Sequence, residues 1–291
     1  MNDQAQRLRE LARSREIVSS ADNSPNSNVT PATVRCKSIA VTSGKGGVGK
    51  TNIALSLAVS LASLKKKVLL LDADLGLANV HILLGLAPRY NLSHFFDQSC
   101  TLEQVIIKGV GGVDILPGAS GLEELANLDL GHLELLQHHF YNLEEQYDFM
   151  IIDTGAGIGA NVIRFASRAD QVVLVMSPEP TSLADAYAMV KVLYEKGARR
   201  IQTLVNMAVS ERDGVETFDR LNALVVKFLK MPLELLGILL FNKEIPKSVR
   251  RQRLMVLDKT GDGFCVRIPA AARKLNGMAS VKRTGFFRKF W

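Results

Sequence analysis

One stretch constrains this chain more than any other: Ser43-Gly44-Lys45-Gly46-Gly47-Val48-Gly49-Lys50-Thr51. A short apolar run, Ile39 to Thr42, leads into it, and a helical pattern begins at Asn52. Strand, glycine-rich turn, Lys-Thr and helix in that order form a phosphate cradle, which commits the chain to an α/β fold. The glycines let the backbone N–H groups from Gly44 to Asn52, that of Val48 included, turn towards an anion with no Cβ in the way. The positive end of the following helix reinforces the same site. Lys50 is spaced to reach β- and γ-phosphates, and the Thr51 hydroxyl to hold Mg²⁺. A second lysine, Lys45, stands inside the loop, where the general pattern requires none.

At 291 residues the chain is long enough for one large α/β domain with an ordinary core. It contains no run of about 18 apolar residues, so no transmembrane helix is expected. Its first residues are polar and charged with no apolar stretch, so no signal peptide is expected either. Cys36, Cys100 and Cys265 are far apart and lack ligand spacing, which fits a reducing cytoplasm and argues against a metal cluster. The net charge is +7, and the seven basic residues after Asp262 (Arg267, Arg273, Lys274, Lys282, Arg283, Arg288, Lys289) equal it. No acid follows Asp262, so the rest is near neutral and no general nucleic-acid surface is expected.

Apolar runs alternate with helical patterns. Strands are expected over Lys67–Leu71, Val113–Leu116, Phe149–Asp153, Val172–Met176, Ile201–Val205 and Leu235–Leu240. Helices are expected from Asn52 to Leu64, His132 to Tyr147, Leu183 to Glu195 with Ser182 as N-cap, and Gly263 to Lys274. The pattern predicts a mostly parallel sheet with helices on both faces, in a single domain over 36–278. Asp72-Ala73-Asp74 follows one strand and Asp153 ends another, at the carboxyl ends where such sheets bind ligands. One carboxylate can sit near a metal while another orients an attacking water. The loop Thr154 to Gly159 is flexible enough to move with a γ-phosphate. A guanine reader would need Asn-Lys-x-Asp. The Asn242-Lys243 pair runs into Glu244-Ile245, so adenine is favoured.

The Lys-Gly-Gly-Val-Gly-Lys-Thr loop resembles the deviant P-loop of the MinD/ParA class of dimerising ATPases. The resemblance implies ATP with Mg²⁺, slow hydrolysis to ADP and phosphate, and a nucleotide-sandwich homodimer in which Lys45 touches the partner's nucleotide. It implies that Lys45 and Lys50 stabilise charge, that Asp74 places the water, and that Asp72 and Asp153 stand at the metal with Thr51. By the same resemblance Asn206 hydrogen-bonds adenine. Many relatives carry Pro or Ala where Gly155 stands, and Ile-Pro soon after the last strand. Here that position reads Leu239-Leu240-Phe241-Asn242, with Pro246 later.

The two ends carry further signals. Residues 1–18 read as a short charged helix with a narrow stripe of Leu8, Leu11 and Ala12, and 19–35 as a flexible, Ser/Asn/Thr/Pro-rich linker. Asp3-Gln4-Ala5 followed by Leu8-Arg9 resembles the N-terminal motif of the flagellar-number regulators of the FlhG/FleN family. That resemblance implies contact with an FlhF-like, signal-recognition-type GTPase through Asp3, Gln4, Ala5, Leu8 and Arg9. It also allows flagellar switch-complex proteins or a flagellar transcriptional regulator as partners. At the other end, residues 279–291 place Phe286, Phe287, Phe290 and Trp291 opposite Lys282, Arg288 and Lys289 on a helix. This predicts an amphipathic segment lying in an anionic membrane interface, with packing on the protein's own surface as the competing reading. The expected location is the cytoplasm, peripheral on the inner face of the membrane when ATP is bound. Two other readings share the P-loop: a MinD-type division-site regulator and a ParA-type DNA-partition module. An iron–sulfur carrier would need paired cysteines.

Overall fold

Within each strand, alternate residues serve two different cores. Leu69 and Leu71 join one cluster and Val68 and Leu70 the other; Met150 and Ile152 likewise part from Phe149 and Ile151. A strand buried on both faces needs helices on both, and the order of elements supplies them.

The computed structural model describes residues 36–74, 80–118, 130–198, 200–258, 263–278 and 285–290. The candidates Asp3, Gln4, Ala5, Leu8, Arg9, Lys282 and Trp291 lie outside the described residues. Within the unit formed by residues 33–291, the strands are β1 (Lys37–Ser43), β2 (Val68–Ala73), β3 (Ile107–Val110), β4 (Val113–Leu116), β5 (Phe149–Ala156), β6 (Gln171–Met176), β7 (Ile201–Ala208) and β8 (Glu234–Leu240). The helices are α1 (Lys50–Ser63), α2 (Val80–Leu83), α3 (Leu92–Phe96), α4 (Leu102–Val105), α5 (Leu130–Glu145) and α6 (Ala160–Arg168). They continue with α7 (Pro180–Glu195), α8 (Glu211–Leu229), α9 (Glu244–Arg250), α10 (Gly263–Gly277) and α11 (Phe286–Phe290).

The sheet order is β3-β4-β2-β5-β1-β6-β7-β8. Every pairing is parallel except the β3–β4 hairpin, which turns through Gly111 and Gly112 in left-handed conformation. α1 and α10 cover one face; α5 to α8 cover the other. The chain leaves β1 for β2 on one side and later reaches β6 on the other. A crevice therefore opens beyond the carboxyl ends of β1, β2 and β5, where a ligand belongs in such a sheet.

The structure differs from the sequence expectations at several elements. Helix α7 starts at Pro180, whose fixed φ suits a first helical position, and Ser182 lies inside it. The Ser182 hydroxyl accepts a hydrogen bond from Ser177 N at 3.0 Å rather than capping the helix. Strand β7 runs on to Ala208, so Asn206 lies within the strand and not past its end. Helix α8 was not among the expected elements, although Ser210 caps it by accepting from Asp213 N at 3.1 Å. Ser-x-x-Asp ahead of an amphipathic run was the signal for it.

The tail packs on the protein's own surface, the second of the two readings that its sequence allowed. Phe286, Phe287 and Phe290 are all but fully buried, in the core cluster that includes Phe140 on α5 and Phe165 on α6. The Phe287 ring lies 4.9 Å from Phe140, and Phe290 lies 4.7 Å from Phe165. Buried Glu144 accepts from the backbone N–H groups of Phe286 and Phe287. Arg168 Nε donates to Lys289 O at 2.6 Å, Lys289 Nζ to Asp170 at 2.7 Å, and the Arg288 guanidinium sits 5.4 Å from the Tyr141 ring. In this conformation these aromatics do not face a bilayer. Gly285, at φ 85°, confines the described helix to the residues after it. The groove between α5 and α6 supplies the apolar cover and the hydrogen-bonding partners that a solvated tail would lack.

Candidate nucleotide site

Gly49, at φ 85°, caps α1 with no side chain on the helix's first N–H groups, which leaves them for a ligand. Gly47 is also left-handed, at φ 79°. Ser43 fixes the loop from within, its hydroxyl donating to Lys45 O at 2.9 Å. Gly157 N donates to Ser43 O at 2.9 Å, which ties the loop after β5 to the cradle.

The register of the sheet brings the acids together. Asp72 on β2 is paired directly with Asp153 on β5, and both are buried. Lys50, itself buried, stands 3.2 Å from Asp153 Oδ1. Burial pushes the Asp153 carboxyl up despite the pull of Lys50 and of the Thr51 hydroxyl. Burial first, and Asp153 second, push Asp72 up to about 7, against hydrogen bonds from the backbone N–H groups of Val80 and Asp74. Two adjoining buried carboxylates and one lysine leave an excess of buried negative charge. That donor set, with the Thr51 hydroxyl, fits a hard divalent cation. Asp74 lies at the mouth of the crevice, half-buried, two residues on from Asp72. A Cβ on Gly155 would stand 3.4 Å from Asp74 Oδ1, so the glycine leaves room beside this acid.

Lys45 does not point into its own cradle. Its ammonium is held at the start of α7, paired with Glu179 and donating to Thr181 Oγ1 at 2.9 Å. Neither partner was among the candidate residues, and their distance in sequence gave no local signal.

Beyond the cradle lies an apolar cleft of about 340 Å³. Asn206, Met207, Phe241, Ile245 and Pro246 line it, with Gly49 at its inner end. Asn206 is buried, and its Nδ2 donates to Val48 O at 2.9 Å, so it braces the cradle as well as facing the cleft. Ile245-Pro246 supply the wall from α9, a few residues after the end of β8.

A glycine-rich cradle at a helix N-terminus, an adjoining lysine and paired acids at a switch point define a P-loop nucleotide hydrolase. A family model described as an AAA domain matches residues 36–205. The antiactivator FleN of Pseudomonas aeruginosa is 43% identical over 74% of this chain and 77% of its own. The flagellum site-determining protein YlxH of Helicobacter pylori is 34% identical over 88% and 84%. Among solved structures, the septum site-determining protein MinD of Pyrococcus horikoshii, complexed with Mg-ADP, superposes with a TM-score of 0.66 at 26% identity, over 85% of this chain and 99% of that one. The chain belongs to the MinD/ParA family of P-loop ATPases, close to its FleN-like flagellar branch.

Proposed function

We propose that this ATPase is a nucleotide-driven switch that sets flagellar number and placement. The observation that carries the reading is the site itself: paired Asp72 and Asp153 beside Lys50, with Asp74 at the crevice mouth. Similarity to an antiactivator and to a flagellum site-determining protein supplies the biological direction. ATP would place its phosphates in the Gly44–Thr51 cradle and its base in the cleft of Phe241 and Pro246. Asn206 Oδ1 would accept from the adenine amine while Nδ2 keeps its hold on Val48. Mg²⁺, held by Thr51 with Asp72 and Asp153 close by, would neutralise phosphate charge. Asp74 would orient the water that attacks the γ-phosphorus in line, and Lys50 would stabilise the charge passing to ADP.

In this reading the competent state is a homodimer, for which Lys45 must leave Glu179 and Thr181 to meet the partner's nucleotide. The tail adds a second output. Burying three phenylalanines contributes roughly 2 kcal/mol each. Ordering the five residues of α11 costs roughly 1–2 kcal/mol apiece. Docking is therefore close to balanced, and the same aromatics can leave for an anionic membrane. Two tails in one dimer would add avidity. Flotation with anionic vesicles tests this: ATP should raise the bound fraction over ADP, and equal binding rejects the coupling. The N-terminal motif would engage the FlhF-like GTPase, and flagellar switch-complex proteins or a transcriptional regulator are further candidate partners.

The deciding experiment is a deletion strain complemented with wild type or Lys50→Ala. Altered flagellar number or placement with normal septa, rescued by wild type alone, is expected. Misplaced septa with normal flagella would support the MinD-type reading instead.

A further inference from the structure

Helix α2 is held at both ends by side chains that belong to different parts of the site. At its start, Val80 N donates to Asp72 Oδ2 at 3.2 Å. Towards its end, Ile82 O accepts from Gln252 Nε2 at 3.0 Å. Gln252 lies just beyond α9, the helix whose Ile245 and Pro246 wall the apolar cleft. The tether is specifically shaped. Gln252 adopts φ 53°, uncommon for a residue with a side chain. Its backbone N–H donates to Val249 O at 2.9 Å, which fixes it to the end of α9. Gly85, at φ 64°, leaves the space that its side chain crosses: a Cβ there would stand 2.8 Å from Gln252 Oε1.

Helix α9 has no fully buried residue, and Ile245 is only partly covered by the core. Its position is therefore sensitive to what fills the cleft. By contrast Val80 and the segment Leu254–Val256 are buried in a common cluster, which gives α2 and the chain after α9 a shared floor. A base in the cleft would pack on Ile245 and Pro246, steady α9, and so hold Gln252 against Ile82.

We propose that Gln252 is a positioning residue that reports occupancy of the base cleft to the Asp72–Asp74 segment. The inference rests on the nucleotide reading above and extends it: the base would contribute to ordering the hydrolytic acids as well as to affinity. A base-bound enzyme would then hydrolyse faster than its phosphate contacts alone allow.

Amide exchange of the full chain with and without excess ADP, in wild type and in Gln252→Glu, tests it. The substitution keeps the side chain's shape but removes the donor. In wild type, ADP should slow exchange across both α9 and residues 82–86. In Gln252→Glu the slowing in α9 should persist, while that at 82–86 falls by roughly threefold or more, the scale of one hydrogen bond. The variant's kcat for ATP should drop about 2–5-fold, while nucleotide affinity weakens by no more than about threefold, the limit that reciprocal coupling sets. Equal slowing at 82–86 in both proteins, or a loss of affinity about tenfold or greater, overturns the proposal. If wild type shows no slowing in the cradle or in α9, the nucleotide reading itself fails, a separate result. Gln252→Ala, which removes the donor without introducing the negative charge of Gln252→Glu, should match it; if it behaves like wild type, the tether is not the cause.

Discussion

At the scale of single residues, the site is defined by charge that the fold has left unbalanced. Asp72 and Asp153 are neighbours in register and both buried, and Lys50 beside Asp153 offsets one of the two charges. The Asp72 carboxyl sits near 7, well above the ordinary carboxylate value of about 4. A raised folded-state value means that the folded chain holds the proton more tightly than the unfolded one. Without a metal, stability should therefore fall as pH rises from about 4 to about 7. Asp72→Asn removes the penalty. Melted without Mg²⁺ near pH 8, this variant should be more stable by at least about 1 kcal/mol, or ~2–4 °C in Tm. The gap should narrow towards pH 4, and a gap that widens on acidification would contradict the assignment. Asp74, half-buried at the crevice mouth, is the residue proposed to orient the attacking water. Asp74→Ala should lower ATP turnover by about 10²-fold or more with nucleotide affinity within about twofold. Turnover at the wild-type rate would remove Asp74 from the chemistry.

At the scale of elements, the tail shows what reading a helix in isolation leaves open. Aromatics opposite lysines describe a membrane-facing helix and a helix seated in a groove equally well, because both bury the same face. The groove cannot be read from the tail, since Glu144, Arg164 and Arg168 lie far from it in sequence. The central strands were legible because their apolar runs need burial on both sides, whereas β3 and α9 are short and half-exposed and carry little periodicity. In the cradle, Gly47, Gly49, Lys50 and Thr51 were legible from order alone. The Lys45–Glu179 pair and the Phe241–Pro246 wall depend on which loops the sheet brings together, and no local spacing encodes that. Near-balanced docking has a measurable consequence. Phe287→Ala should cost no more than about 1–2 kcal/mol, because the tail can simply leave its groove. Phe165→Ala, on the groove wall, should cost roughly 3–5 kcal/mol in the same urea titration. Equal losses would mean that the tail is a fixed part of the core.

At the scale of the whole molecule, the proposed switch has to break contacts that the single chain makes with itself. Lys45 is paired with Glu179, and the tail aromatics are buried beside Glu144. In the proposed switch, Lys45 would have to leave Glu179 to reach a second copy, and the tail would have to leave Glu144 to reach a membrane. Nucleotide would drive the first of these moves if the partner's phosphates attract Lys45 more strongly than Glu179 and Thr181 do. The exposed Lys45–Glu179 pair contributes only about 0–1 kcal/mol, so it is a weak competitor for a triphosphate. Light-scattering mass determination with ATP and Mg²⁺ tests this most directly, using Asp74→Ala to prevent turnover. The account expects a dimer for Asp74→Ala and a monomer once Lys45→Ala is added; a monomer in the first case, or a dimer in the second, would contradict it.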